Sequence, residues 1–185
     1  AIIGFKAAGT GIPVMKKLKE KEPFYASIYK RNFLKSGKRV KINKYVLGIE
    51  VEVCYLIKKT FFSSKGLINE KNITKFISYM APCIEVVGYR QKRKGITSFG
   101  DLSSDFGGNV KFLIGQRKKY KKINIGNLKA SIANKKTKQN INGNTNAVYT
   151  NPLNSLRFVL NKIKKDKTNL GIDFYVFTGS TVGVV

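Results

Sequence analysis

The chain has 185 residues, 42% of them hydrophobic, enough for one domain (residues 1–185) with a substantial core, and no shift in composition divides it. It contains no histidine, which removes Ser-His-Asp and Cys-His mechanisms, histidine-built zinc sites and the commonest general base at neutral pH. Thirty-six Lys and Arg against ten Asp and Glu give a net charge of +26, but the basic residues are spread over nearly every segment and no helix-turn-helix, finger or RNA-binding signature gathers them; they read as a solvated surface shaped by AT-rich codons, with no specific nucleic-acid partner.

In chain order, residues 1–6 read as a short apolar strand ending on Lys6, followed by a flexible stretch to Gly11. The opening is too interrupted by Lys, Gly and Pro for a signal sequence, and no later apolar run approaches the roughly 18 residues of a membrane span, so a soluble protein without a membrane partner is expected. Residues 12–21, with Pro13 near the start, read as a surface helix ended by Pro23. Short strands follow at 24–33 and 39–42, split by a turn at Ser36-Gly37, and lead into the apolar run 46–57. Residues 58–71 read as a polar loop, 72–79 as a helix, and 83–89 as a second apolar strand introduced by Pro82. A basic loop is expected at 90–95, a helix at 97–106 with Ser98 and Asp101 at its start, and a strand at 110–115. Residues 123–149 suggest a hairpin turning at Asn142-Gly143. The best helix is 153–164, where Leu156, Val159, Leu160 and Ile163 recur at helical spacing, and a last strand at 174–177 runs into Thr178-Gly179-Ser180-Thr181. Strands outnumber helices without regular alternation, which predicts an α+β fold with a mixed, mainly antiparallel sheet and a few peripheral helices. Both ends of the chain read as cut. Cys54 and Cys83 lie in apolar runs without a CxxC pair, which fits a reducing cytoplasm, and both are expected to act as small apolar side chains.

The run VLGIEVEVCYLI at 46–57 organises the rest. Side chains alternate along a strand, which places Leu47, Ile49, Val51, Val53, Tyr55 and Ile57 on a core face and Glu50, Glu52 and Cys54 on the other. Two carboxylates at i and i+2 repel, and burying them is costly unless a positive charge sits between them. With Glu85 on the second apolar strand, three carboxylates suit a hard cation, Mg²⁺ or Mn²⁺. Spacing alone leaves a second reading open, in which Glu50 and Glu52 face solvent and pair with surface lysines. Lys6 reads either as one more surface lysine or, between an apolar strand and a Gly-rich turn, as a functional amine.

Gly4-Phe5-Lys6, Gly48-Ile49-Glu50-Val51-Glu52, Pro82-Cys83-Ile84-Glu85, Asn151-Pro152-Leu153-Asn154-Ser155 and Thr178-Gly179-Ser180, in that order, resemble the 2-keto-4-pentenoate hydratase and 4-oxalocrotonate decarboxylase family of the fumarylacetoacetate hydrolase superfamily. The resemblance implies that superfamily's mixed, β-roll-like fold, a divalent metal held by Glu50, Glu52 and Glu85, and Lys6 as catalytic amine, with a homo-oligomer for the full-length protein. It implies a lyase that hydrates a 2-hydroxydienoate or related 2-oxo acid through a stabilised enolate, with decarboxylation or C–C hydrolysis on the same site as alternatives; a noncatalytic basic binding domain is a further one. Near a dication, Lys6 is expected to have a lowered pKa and to shuttle a proton. Asn109, Ser180 and Thr181 are the expected substrate-binding residues, the latter two with backbone N–H groups around Gly179. Asn151 stands where the family commonly has His, and Phe24 where hydratases often carry an acid.

Overall fold

The computed structural model describes residues 1–91 and 98–185. Strands β1 (Ile2–Ala8), β2 (Phe24–Tyr29), β3 (Val46–Ile57), β4 (Ile77–Gly88), β5 (Asn109–Ile114) and β9 (Phe174–Ser180) form one sheet in the order β2-β1-β9-β3-β4-β5, with the two-residue β6 (Lys118–Lys119) beside the start of β4. Neighbours run antiparallel except for the parallel pair β1–β9. Beyond β2, Phe33 bridges to Phe112 of β5, and the Leu34 N–H donates to the Phe112 carbonyl at 2.7 Å. The two edges of the sheet therefore meet, and the sheet is a roll. This is the α+β, mainly antiparallel architecture that the sequence predicts.

Each face of the roll has its own core. Outside, helix α3 (Pro152–Lys165) lays Leu156, Val159, Leu160 and Ile163 onto Phe5, Tyr55, Ile57, Phe174 and Val176. Their helical spacing makes one apolar stripe, which buries against the apolar alternation of the strands. The Asn151 side chain caps this helix by accepting the Leu153 N–H at 2.8 Å, and the Ser155 hydroxyl donates to the Thr178 carbonyl at 2.6 Å, fixing the helix to β9. Inside, Ile28, Cys54, Ala81, Cys83, Phe112 and Phe177 meet from β2, β3, β4, β5 and β9. The cysteines are small apolar filling there. Of the twenty-one aromatics, only Phe33, Tyr45, Tyr79 and Phe106 are exposed.

Several elements differ from the sequence pattern. The expected helix at 72–79 is one 3-10 turn, Ile73–Phe76, and the chain enters β4 at Ile77, where pairing with Ile57 prevails over weak helical periodicity. Pro82 lies inside β4 rather than before it. Its carbonyl accepts from Gly115 N–H at 2.8 Å, so its missing N–H faces the gap between β5 and β6 and removes no bond to β3. The strand expected at 39–42 is absent, and 58–71 is no plain polar loop, since Phe61 and Ile68 enter the outer core. Helix α1 stops at Lys17 (Ile12–Lys17) because Lys19 turns left-handed, with φ of 56°. The hairpin β7 (Lys129–Asn134) and β8 (Gln139–Asn144) turns at 135–138, not at Asn142-Gly143. Gly143 is in β8 because the Thr181 carbonyl passes over it: a Cβ there would sit 2.0 Å from that oxygen. The basic loop expected at 90–95 lies mostly outside the described residues, as does Thr97; helix α2 (Phe99–Ser104) begins with Ser98 accepting the Asp101 N–H at 3.0 Å.

Candidate active site

One end of the roll's inner face carries charge. Glu50 and Glu85 are direct cross-strand partners on β3 and β4, Glu52 is two residues along β3, and carboxylate oxygens of all three lie within 4.8 Å of one another. The solvent-facing reading of Glu50 and Glu52 is thus overturned: Glu85 is 0% and Glu52 2% exposed, and Glu50 is half-buried. Lys6 arrives from β1, also 2% exposed, and its Nζ donates to both Glu85 oxygens at 2.6 Å and to the Gly107 carbonyl at 2.9 Å.

Backbone irregularities aim these groups. In β9 one extra residue between the pairs Cys54–Phe177 and Glu52–Ser180 makes a bulge, which turns the Gly179 N–H onto Glu52 Oε2 at 2.8 Å. Gly179 has φ of 112°, and a Cβ would lie 2.1 Å from Thr10 Oγ1, so only glycine fits. A second bulge, between Val46 and Gly48, turns Leu47 onto the cavity wall shared with Glu50 and Glu52, away from the core face that simple alternation assigns it. Gly107, at φ of 66°, brings its carbonyl to Lys6; a Cβ there would sit 3.3 Å from Lys6 Cε.

Burial dominates the electrostatics. It raises the Glu50 carboxyl to about 7, the Lys6 charge opposing and Glu85 reinforcing. It pushes Glu52 well above the ordinary carboxylate range, Glu85 adding to the push while Lys6 and the Gly179 N–H oppose it. For Lys6, burial alone would depress the amine, but the charges of Glu85, Glu52 and Glu50 and the hydrogen bond to Glu85 outweigh it, and the net direction is up. The lowered pKa that the sequence suggests is therefore not imposed by the protein's own groups: Lys6 is held as an ammonium. Three acids facing one internal cation remain short of positive charge, and Glu52 Oε1 is buried without a hydrogen-bond partner among the described residues. An orphaned carboxylate oxygen within a convergent all-oxygen donor set fits a hard divalent cation, which the three glutamates would hold.

A cavity of about 580 Å³ opens over Lys6, Glu50 and Glu52. Ser180 lines it, although its hydroxyl donates to the Gly183 carbonyl at 3.1 Å. Thr181 does not: its hydroxyl and N–H both donate to the Val51 carbonyl, at 2.7 and 2.9 Å, fastening β9 to β3. Asn109 stands behind the carboxylates instead of facing the cavity, its Nδ2 donating to Glu85 Oε1 at 2.7 Å while its Oδ1 accepts from Asn32 at 3.1 Å. Sequence reasoning missed the support for this shell. Arg90 Nε donates to Asp105 Oδ1 at 2.6 Å and its backbone N–H to Oδ2 at 2.7 Å, while its Nη atoms hold the Asn109 and Asp105 carbonyls. That clasp fixes the 105–109 turn, which presents both Gly107 and Asn109. An acid beside a Gly pair and a distant arginine carry no local signal of such a pairing. The two departures from the family pattern also have places: Asn151 is the cap of α3, and Phe24 packs edge-on against Phe99 at 5.2 Å.

No family model matches the sequence, and no curated protein does either. Solved structures do share its fold. 4-Oxalocrotonate decarboxylase from Pseudomonas putida G7, complexed with magnesium and adipate, superposes with a TM-score of 0.82 at 17% identity, over 100% of this chain and 70% of that one. The same enzyme complexed with calcium and acetate gives 0.80, at 17% identity, over 100% and 69%. A protein of Mycobacterium smegmatis assigned as HpcE gives 0.59 at 13% identity, over 98% and 63%. The resemblance seen in the sequence is thus borne out at the level of fold.

Proposed function

We propose that the chain is the catalytic domain of a divalent-metal-dependent lyase acting on a 2-oxo acid through its enolate, with hydration of a 2-hydroxydienoate as its reaction. The observation that carries this is the convergence of Glu50, Glu52 and Glu85 with Lys6, three of which, Lys6, Glu50 and Glu52, line one cavity. When bound by these glutamates, Mg²⁺ or Mn²⁺ supplies Lewis acidity for polarising a 2-oxygen beside a carboxylate. Lys6 holds a proton at Nζ, at the cavity wall, and delivers it as a general acid when the enolate returns to the keto form. Glu85, Asn109 and the Gly107 carbonyl orient that amine. The bulged Gly179 N–H holds Glu52 toward its neighbours, and aliphatic side chains line the cavity beside them.

Decarboxylation is the second reading, favoured by the fold shared with 4-oxalocrotonate decarboxylase. Both reactions proceed through the same enolate. The test is NMR analysis of products from a panel of 2-hydroxydienoates and 2-oxo diacids, with Mg²⁺ or Mn²⁺. A 4-hydroxy-2-oxo product supports hydration and release of carbon dioxide supports decarboxylation. Turnover that survives Lys6→Met and Glu52→Gln together would refute the assignment.

A further inference from the structure

We propose that the cavity selects a monocarboxylic 2-oxo acid with an apolar tail of several carbons and discriminates against a second carboxylate at the tail's far end. This rests on the oxo-acid reading of the site and adds the class of substrate. Four exposed aliphatic side chains line this cavity, Leu47 at 54%, Val184 at 53%, Val14 at 39% and Ile12 at 38% exposed, and the buried Val87 and Leu102 line it as well. Contiguous exposed apolar surface over a concave site with a few convergent polar groups marks a ligand's apolar part. The β3 bulge turns Leu47 to this wall against simple alternation, so its exposure is built by the backbone.

The charge distribution sets the rest. Lys6 is the sole cation among the described residues lining the cavity, and both its carboxylate contacts are to Glu85. Thr10, Tyr89, Asn146 and Ser180 are the neutral polar side chains on the wall and offer no counter-charge. With the acid's head at the Glu50–Glu52–Lys6 end, a distal carboxylate would lie against aliphatic side chains and lose part of its hydration with no cationic partner among the described residues, which is costly. A methyl terminus gains from the same contact. The volume of about 580 Å³ lies within the roughly 300–1,000 Å³ of pockets that enclose drug-sized ligands, more room than a three-carbon acid fills.

Calorimetric titration of the whole chain in excess Mg²⁺ with three probes tests this: 2-oxopropanoate, 2-oxooctanoate and 2-oxooctanedioate. The C8 monoacid should bind at least about tenfold tighter than either of the others. Leu47→Lys, a substitution at an exposed rim position, should move the ratio of monoacid to diacid affinity toward the diacid by about fivefold or more. Equal or tighter binding of the diacid, equal binding of 2-oxopropanoate, or an unaltered ratio in Leu47→Lys would each overturn the inference and leave the oxo-acid reading standing. If Mg²⁺ binds but none of the three acids does, the oxo-acid reading fails and takes the tail selectivity with it.

Discussion

The two ends of the roll's inner face are built on the same strands and solve opposite problems. At one end Ile28, Cys54, Cys83, Phe112 and Phe177 close the interior with apolar side chains. At the other, two residues along from Cys54 and Cys83, Glu52 and Glu85 stand at equally buried positions beside Lys6, with a cavity above them. A strand specifies which side chains share a face, not whether that face is oil or charge. The packed end contributes stability through burial. The charged end contributes little, because desolvation of three carboxylates offsets the pairing with one ammonium. The orphaned Glu52 Oε1 and the elevated Glu50 mark this imbalance.

The largest effect separating the two ends should come from the packed one. Ile28→Ala, at a 0% exposed position on β2, should cost about 4 kcal/mol in urea unfolding and leave the Mg²⁺ affinity of the residual folded protein unchanged. Lys6→Met acts at the charged end. Leaving Glu85 without its cation should cost about 3 kcal/mol in chelator, and saturating Mg²⁺ should return most of that loss. A loss that Mg²⁺ cannot restore would mean that Lys6 is a structural ion pair and nothing more. Gly107→Ala is a milder intrusion, placing a Cβ at φ of 66° and 3.3 Å from Lys6 Cε; about 1–2 kcal/mol is expected, with lost activity exceeding lost stability.

How far the sequence discloses each end follows from where the information resides. Glu50, Glu52 and Glu85 are legible because acids within apolar strands violate the local pattern, and the β3–β4 register needs only alternation. Leu47 is not, because a one-residue bulge inverts the face assignment and leaves no mark on composition. Asn142-Gly143 misleads for a related reason: the glycine answers the close passage of the Thr181 carbonyl, a contact nearly forty residues away in the chain. Thr181 shows the same limit, since its hydroxyl is committed to Val51 across a strand pair that short-range patterns do not reveal. The Arg90–Asp105 clasp is likewise a tertiary product.

The smallest expected effect lies away from both ends. The Tyr25 hydroxyl donates to Asp166, and burial together with that bond raises the phenol to about 12, from an ordinary 10.0. Because the folded value lies above the unfolded one, its contribution is complete below pH 10 and fades as pH rises toward 12. The Tyr25 ring is half-buried but its bond to Asp166 is exposed to solvent, so the loss should be slight, and Tyr25→Phe should flatten that part of the stability profile without altering the response to Mg²⁺.

The central claim, that the charged end is balanced by a divalent cation on three glutamates, is tested most directly by thermal unfolding against Mg²⁺ concentration for the wild-type chain and Glu52→Gln. The wild-type midpoint should rise with Mg²⁺, reaching a stabilisation of about 2.7 kcal/mol at a hundredfold excess over the dissociation constant. Glu52→Gln should start at least as stable in chelator and show no such rise. A wild-type midpoint indifferent to millimolar Mg²⁺ and Mn²⁺, or an equal rise in Glu52→Gln, would contradict the account.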